Sequence, residues 1–209
     1  MQLIGMLDSP YVRRVAISLR LLGLPFEHRP LSVFSTFEQF SQVNPVVKAP
    51  TLVTDDGTVL MDSTLILQWV EAQVAPSQPT QLAQLTPATR QARLHDLRLT
   101  GLALAACEKA VQTVYEHKLR PADKQHQPWL NRVGGQLDAA FAALEAELVR
   151  VPLVAETAAL THGSVAAAVA WSFTHLLLPG RVSAEAHPQL AAFTAAAEQL
   201  PAFTACQQT

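Results

Sequence analysis

Residues 51–62 most narrow what this chain can fold into. In "TLVTDDGTVLMD" two short β-prone runs, Thr51–Thr54 and Thr58–Met61, flank Asp55–Asp56–Gly57. Asp and Gly accept the backbone that a tight reversal needs, so the stretch predicts a β-hairpin. Asp62–Ser63 then starts a helix carrying apolar Leu65, Ile66, Trp69 and Val70. Upstream, Leu3–Met6 reads as a short buried strand and Phe26–Leu31 as a second. Between them, from Pro10, apolar Val12, Val15, Ala16, Leu19 and Leu22 recur at helical spacing, with Arg13, Arg14 and Arg20 on the other side. Gly23 is the stop for that helix. A helix between two strands makes them parallel. Thr36 to Gln42 reads as a further short helix. The predicted order is β-α-β-α-β-β-α, a parallel half joined to an antiparallel half, over residues 1–76.

After residue 76 the pattern is helical. Val74 to Pro87, "VAPSQPTQLAQLTP", holds three prolines among polar residues and suits a linker, placed at 77–86. Residues 87–209 read as an all-α helical-bundle domain. Thr86–Pro87 is a cap followed by a proline at the first helical position. The helix it opens runs to about Lys118, with apolar Leu94, Leu97, Leu102 and Ala105, and Arg120–Pro121 ends it. The next carries the stripe Leu130, Val133, Leu137, Phe141, Leu144 and Leu148, stopped by Val151–Pro152. Thr161 to Leu178 is apolar nearly all round, as expected of the central helix of a bundle. A last helix starts near His187–Pro188.

The 209 residues are 49% apolar and 15% charged, ample for a buried core, and the formal net charge is -2. The whole chain therefore carries no electrostatic footprint for nucleic acid or an anionic membrane. Its two cysteines, Cys107 and Cys206, lack metal-binding or dithiol spacing, so neither a metal nor a redox pair is expected. Cys107 is expected to be buried and Cys206, near the tail, to lie at the surface. The most apolar stretch, Val165 to Leu178, is about 14 residues long, against the roughly 20 a membrane span needs. With no signal-peptide pattern at the N-terminus, a cytoplasmic protein is expected.

Four features of the first part can bind a ligand together. Ser9 stands between a strand end and a helix start, where backbone N–H groups and the helix dipole favour an anion. "NPVVKAPTL" sets Pro50 at the start of a strand; with a cis Ala49–Pro50 bond, the Ala49 backbone N–H and C=O would be left to pair with an extended ligand. Asp62–Ser63 opens a third helix, where the free N–H groups and the Ser63 hydroxyl suit a carboxylate and Asp62 suits an amine. Lys48 suits a second carboxylate. A small zwitterionic peptide with a thiol at one end, such as glutathione, matches this set. Each feature also has a plainer reading. Ser9 and Asp62–Ser63 are good helix caps, Pro50 can be a trans proline opening a strand, and Lys48 can be a solvated surface lysine.

In "SPYVRRV", "NPVVKAPTL" and "DSTLILQWVEA", and later in "YEHKLRP" and "WLNRVGGQLDAAFAALEAEL", the chain resembles a cytosolic glutathione S-transferase of the bacterial type. The resemblance implies a thioredoxin-like first domain, a helical second domain, a cis bond at Pro50, a homodimer and a detoxification role. It implies glutathione as cosubstrate with no metal, a small electrophile as second substrate, and neither a nucleic-acid nor a membrane partner. Glutathione contacts fall on Ser9, Lys48, Ala49, Pro50, Asp62 and Ser63. Ser9 takes the position that is cysteine in the glutaredoxin-like members. A serine cannot form a mixed disulfide, which disfavours thiol transfer and points to stabilising a glutathione thiolate. Tyr11, Tyr115, Arg120 and Trp171 are weaker candidates for an electrophile pocket, with core packing or a helix end as the plainer alternative. The other functional readings are a non-catalytic protein of the same fold acting in binding or protein–protein interaction, and glutathione-dependent peroxide reduction or isomerisation in the same pocket. The chain departs from the family at "THGS", where Ser164 stands in place of the usual acidic residue three after the Thr161 cap, which predicts a weaker cap. Asp62 stands where many members have glutamate.

Overall fold

The computed structural model describes residues 1–74 and 85–208. Residues Met1–Leu85 with Gln199–Thr209 form one compact unit and Thr86–Glu198 a second. Residues 77–84 of the expected linker lie outside the described residues.

In the first unit, strands β1 (Gln2–Ile4), β2 (Glu27–Arg29), β3 (Thr51–Val53) and β4 (Val59–Met61) form one sheet in the order β2-β1-β3-β4. β1 runs parallel to β2, pairing Leu3 with His28, and antiparallel to β3, pairing Leu3 with Leu52. The β3–β4 hairpin pairs Leu52 with Leu60. Helix α1 (Pro10–Leu21) is the crossover between the parallel strands, α2 (Phe37–Val43) precedes β3, and α3 (Ser63–Val74) follows β4. The order is β-α-β-α-β-β-α, a thioredoxin-like fold, with strands one to three residues shorter than the sequence patterns. Leu3, Ile4, Leu52, Val15, Leu19 and Ile66 are fully buried and make the core. Gly23, at φ 66°, ends α1: its N–H bonds the Arg20 carbonyl and the Leu24 N–H bonds the Leu19 carbonyl, a Schellman stop.

One expectation about α1 is corrected. Arg13 and Arg14 are not on a solvent face; they are 1% and 3% exposed. Arg13 Nε donates to the Cys206 carbonyl at 2.8 Å and its guanidinium lies 5.7 Å from the Phe203 ring centroid. That acceptor comes from residues 199–209, which the sequence pattern grouped with the helical domain and which instead pack on the first unit through α8 (Pro201–Thr204). Cys206 is likewise buried, not at the surface. Burial pushes its thiol pKa up, against the opposing pull of Arg20, whose Nε lies 3.3 Å from its Sγ.

The second unit is helical: α4 (Arg90–Leu119), α5 (Gln127–Arg150), α6 (His162–Leu177) and α7 (Pro188–Ala197). α6 packs against both α4 and α7 and buries Gly163 to Trp171 without a break, as its all-apolar sequence requires. In the α5 stripe, Val133, Leu137, Phe141, Leu144 and Leu148 are buried as the spacing predicts, while Leu130 at its start is half-buried. α4 differs. Its cap is Thr89, whose hydroxyl accepts from Ala92 N at 3.2 Å, and not Thr86. Leu94 and Leu97 are exposed, and the buried face is Leu99, Ala103, Ala106, Cys107, Ala110 and Val114. These small residues let α6 approach closely, which a Leu stripe would prevent. The expected weak cap of α6 is also corrected. The Ser164 hydroxyl accepts from Thr161 N at 2.7 Å while Thr161 Oγ1 accepts from Ser164 N, a reciprocal box closed by a hydroxyl in place of a carboxylate. Asp96 of α4 adds the missing carboxylate from outside, accepting from Gly163 N at 2.8 Å.

Among the described residues, no helix is long and apolar enough to cross a membrane.

Candidate glutathione site

Ser9 precedes α1 with extended backbone (φ -69°, ψ 124°), and Pro10 is the first helical residue. Its carbonyl accepts from Arg13 N at 2.9 Å and its N–H donates to the Met6 carbonyl. The side chain makes no capping hydrogen bond. The backbone thus holds the helix start by itself, and a half-buried hydroxyl is left at the positive end of α1.

α1 meets the proline loop at Gly5. A Cβ there would stand 2.5 Å from Val12 Cγ2 and 3.3 Å from the Ala49 Cβ, at a φ of 137° that favours glycine. This close approach seats the loop against the helix that Ser9 opens. The Ala49–Pro50 bond is cis. Pro50 is buried, Ala49 half-buried and Lys48 exposed, its ammonium in no ion pair among the described residues.

Asn44 and Thr51 hold the two ends of this loop. Both are buried. Asn44 Oδ1 accepts from Val46 N at 3.0 Å, Asn44 Nδ2 donates to Thr51 Oγ1 at 2.8 Å, and Thr51 Oγ1 donates to the Lys48 carbonyl at 2.7 Å. Val47 sits at φ 51°, a value a β-branched residue rarely takes, and its N–H bonds the Asn44 carbonyl. Sequence reasoning quoted Asn44 in its motif without giving it a role; the available signal was Asn before Pro45, a turn-opening pair.

Asp62 has φ 72° and its Oδ1 accepts from Thr64 N at 2.9 Å, so it caps α3. Ser63 is buried, and Arg14 Nη1 of α1 lies 3.3 Å from its hydroxyl and 3.4 Å from that of Thr64. A guanidinium beneath the start of α3 adds positive charge where the helix dipole already favours an anion. Arg14 was missed because adjacent arginines read as a polar face. α1 is therefore the common neighbour of the proline loop and the α3 start.

The weaker candidates have separate surroundings. Tyr11 is half-buried in the first turn of α1 and Tyr115 is exposed on α4. Arg120 ends α4 and pairs with Glu116 at 2.9 Å. Trp171 is buried inside the second unit, edge-on to Phe141 and His175 at centroid distances of 5.6 and 4.3 Å. Among the described residues, no group of three or more His, Cys, Asp or Glu side chains could hold a metal ion.

With strand order, cis-proline loop and the start of α1 in place, residues 3–78 match the family described as Glutathione S-transferase, N-terminal domain. Residues 3–78 are similar to a glutathione S-transferase N-terminal domain. A GST-like protein of Escherichia coli, YibF, is 29% identical over 181 residues, 86% of each chain. A glutathione S-transferase from Methylobacterium radiotolerans, solved with glutathione sulfonate, superposes with a TM-score of 0.86 at 27% identity over 100% of this chain and 96% of its own. A glutathione transferase family member from Pseudomonas fluorescens Pf-5, solved with bound glutathione, does so with a TM-score of 0.82 at 28% identity, covering 100% of this chain and 98% of that one. These likenesses extend over both units and support the glutathione S-transferase family for the chain.

Proposed function

We propose that the chain is a glutathione S-transferase in which the Ser9 hydroxyl donates a hydrogen bond to the glutathione sulfur. The observation that carries this reading is the Ser9 side chain itself, half-buried at the start of α1 and spent on no cap. A donor and a helix N-terminus both favour the thiolate over the thiol, so a bound thiol would ionise below its ordinary pKa of about 8.5. The thiol proton leaves to solvent and Ser9 keeps its own; the sulfur lone pair forms a carbon–sulfur bond as the electrophile's leaving group departs with its bonding pair or, at an activated double bond, as the π pair shifts onto the electrophile and is then protonated from solvent. Thiolate stabilisation and positioning are the protein's contribution.

In this reading the Ala49 backbone beside Pro50 pairs with the extended peptide. The N–H groups at the start of α3 and the Ser63 hydroxyl hold one carboxylate, with Asp62 beside them for the amine. Lys48 meets the other carboxylate. A serine-type bacterial enzyme acting in detoxification, with Tyr11, Tyr115 and Arg120 near the electrophile, completes the proposal; Trp171 is occupied with core packing. A homodimer is proposed with it, because Leu65 on α3 and Leu94 and Leu97 on α4 are large apolar side chains left exposed. A cytoplasmic location suits the two free cysteines.

Calorimetry with glutathione tests the reading directly, followed by turnover assays across a panel of alkyl and aryl electrophiles. Binding with turnover is expected. No heat of binding at millimolar glutathione sinks it, and binding without turnover leaves the non-catalytic function instead.

A further inference from the structure

We propose that Asn44 and Thr51 are positioning residues that fix the direction of the Ala49 N–H, and so set the affinity for the peptide ligand; this rests on the glutathione reading above. The inference follows donors and acceptors along the loop. The Val46 N–H, 3.0 Å from Asn44 Oδ1, demands an acceptor and so fixes which way the Asn44 amide faces. Asn44 Nδ2 must then face Thr51 Oγ1, at 2.8 Å, and can only donate to it. The Thr51 hydroxyl has one proton, and with a donor already aimed at its oxygen that proton goes to the Lys48 carbonyl at 2.7 Å.

The Lys48–Ala49 peptide is trans, the cis bond being the next one. In a trans peptide the C=O and the following N–H point in opposite directions. Tying the Lys48 carbonyl to buried Thr51 therefore turns the Ala49 N–H away from Thr51. Among the described residues that N–H has no acceptor. Val47 at φ 51° is part of the same device: the Asn44 carbonyl holds its N–H while the side chain holds that of Val46, which keeps the strained turn in place. The clasp thus presents a backbone donor in a fixed direction before any ligand arrives, which lowers the ordering cost of binding.

Three substitutions separate this from mere support of the fold. Thr51→Val keeps the shape and removes the hydroxyl. Thr51→Ser keeps the hydroxyl. Asn44→Asp keeps the acceptor for Val46 but turns the second atom from donor to acceptor. The Thr51 proton is then drawn to the introduced carboxylate, and the Lys48 carbonyl is released.

The expected result is a roughly tenfold rise in the glutathione KM for T51V and N44D, with kcat at saturating glutathione within about threefold of the wild type. T51S is expected to stay within about twofold in both. In the ligand-free protein, the Lys48 carbonyl 13C resonance is expected to move upfield in T51V and N44D and to hold in T51S. Wild-type affinity in both T51V and N44D, or an unmoved Lys48 resonance in both, overturns the clasp. A wild-type chain that binds no glutathione overturns the glutathione reading, and the Lys48 resonance still reports on the clasp.

Discussion

Glu145 on α5 caps α7: its two carboxylate oxygens accept from Gln189 N at 2.8 Å and Leu190 N at 2.9 Å. The first backbone donors of α7 are thereby satisfied from another helix, and the negative charge sits at the positive end of its dipole. Glu116 does the same at the start of α5, accepting from His126 N at 2.9 Å. Glu145→Gln keeps one acceptor and sets an amide N–H against the other donor. A loss of about 1–3 kcal/mol is expected for this buried site, read as a lower urea midpoint with an unchanged slope. An unchanged midpoint would show that the cap is not a stabilising contact.

The tight packing of α6 on α4 at Gly163 gives a second expectation. A Cβ on Gly163 would stand 2.7 Å from the Asp96 carbonyl oxygen and 2.8 Å from the Leu99 Cβ. Neither neighbour is the free end of a flexible side chain, so Gly163→Ala forces the helices apart and should cost about 1–3 kcal/mol. Gly101 and Gly135 are interior to α4 and α5 and face open space. Gly→Ala there should stabilise by about 0.5–1 kcal/mol through helix propensity. Thermal melts of the three single variants decide it; the same sign at all three positions would contradict the packing.

These contacts also mark what was legible in the sequence and what was not. The α5 stripe and the hairpin were readable because each is a pattern within one short segment. The reciprocal cap at Thr161 and Ser164 was half-readable: the spacing was right, and the hydroxyl doing a carboxylate's work was not foreseen. Asp96 bonded to Gly163, Glu145 to Leu190 and Arg13 to Cys206 join residues far apart in the chain, and no local periodicity encodes them. Arg13 and Arg14 misled for a physical reason. Charged side chains read as solvent-facing until a buried acceptor is known, and the acceptor for Arg13 is a carbonyl 193 residues away. In the candidate site, the motifs proposed to face a ligand were visible as motifs, while the Asn44–Thr51 clasp needed the loop's backbone to be seen.

Glu147 makes the acid stability of the second unit predictable. Arg150 and Arg98 hydrogen-bond its carboxylate, with His95 Nδ1 at 3.3 Å, and hold its pKa down from the ordinary 4.5 to about 2. The folded value lies below the unfolded one. The stabilisation is therefore complete above about 4.5 and is lost as the pH falls towards 2. The melting temperature should fall between pH 5 and pH 3 in the wild type, and that slope should be shallower in Glu147→Gln. Equal slopes in the two proteins would remove Glu147 from the account.

The pH dependence of turnover reads the role of Ser9. With the hydroxyl donating to the sulfur, kcat/KM should rise with pH along the ionisation of the bound thiol, at an apparent pKa below about 8.5. Ser9→Ala removes the donor and leaves the helix dipole, so the apparent pKa should move up towards that reference. The rate at pH 7 should drop by about 10- to 100-fold, a loss of the size expected for one hydrogen bond to a charged sulfur. Glutathione affinity should change far less, because in the proposed site the peptide is held mainly at Ala49, Asp62 and Ser63. Ser9→Cys sharpens the distinction. A thiol in the same place can attack a disulfide, so this variant should gain exchange activity with a mixed glutathione disulfide, which the wild-type serine lacks. A Ser9→Ala protein with the wild-type pH profile and rate would show that the hydroxyl does not touch the sulfur.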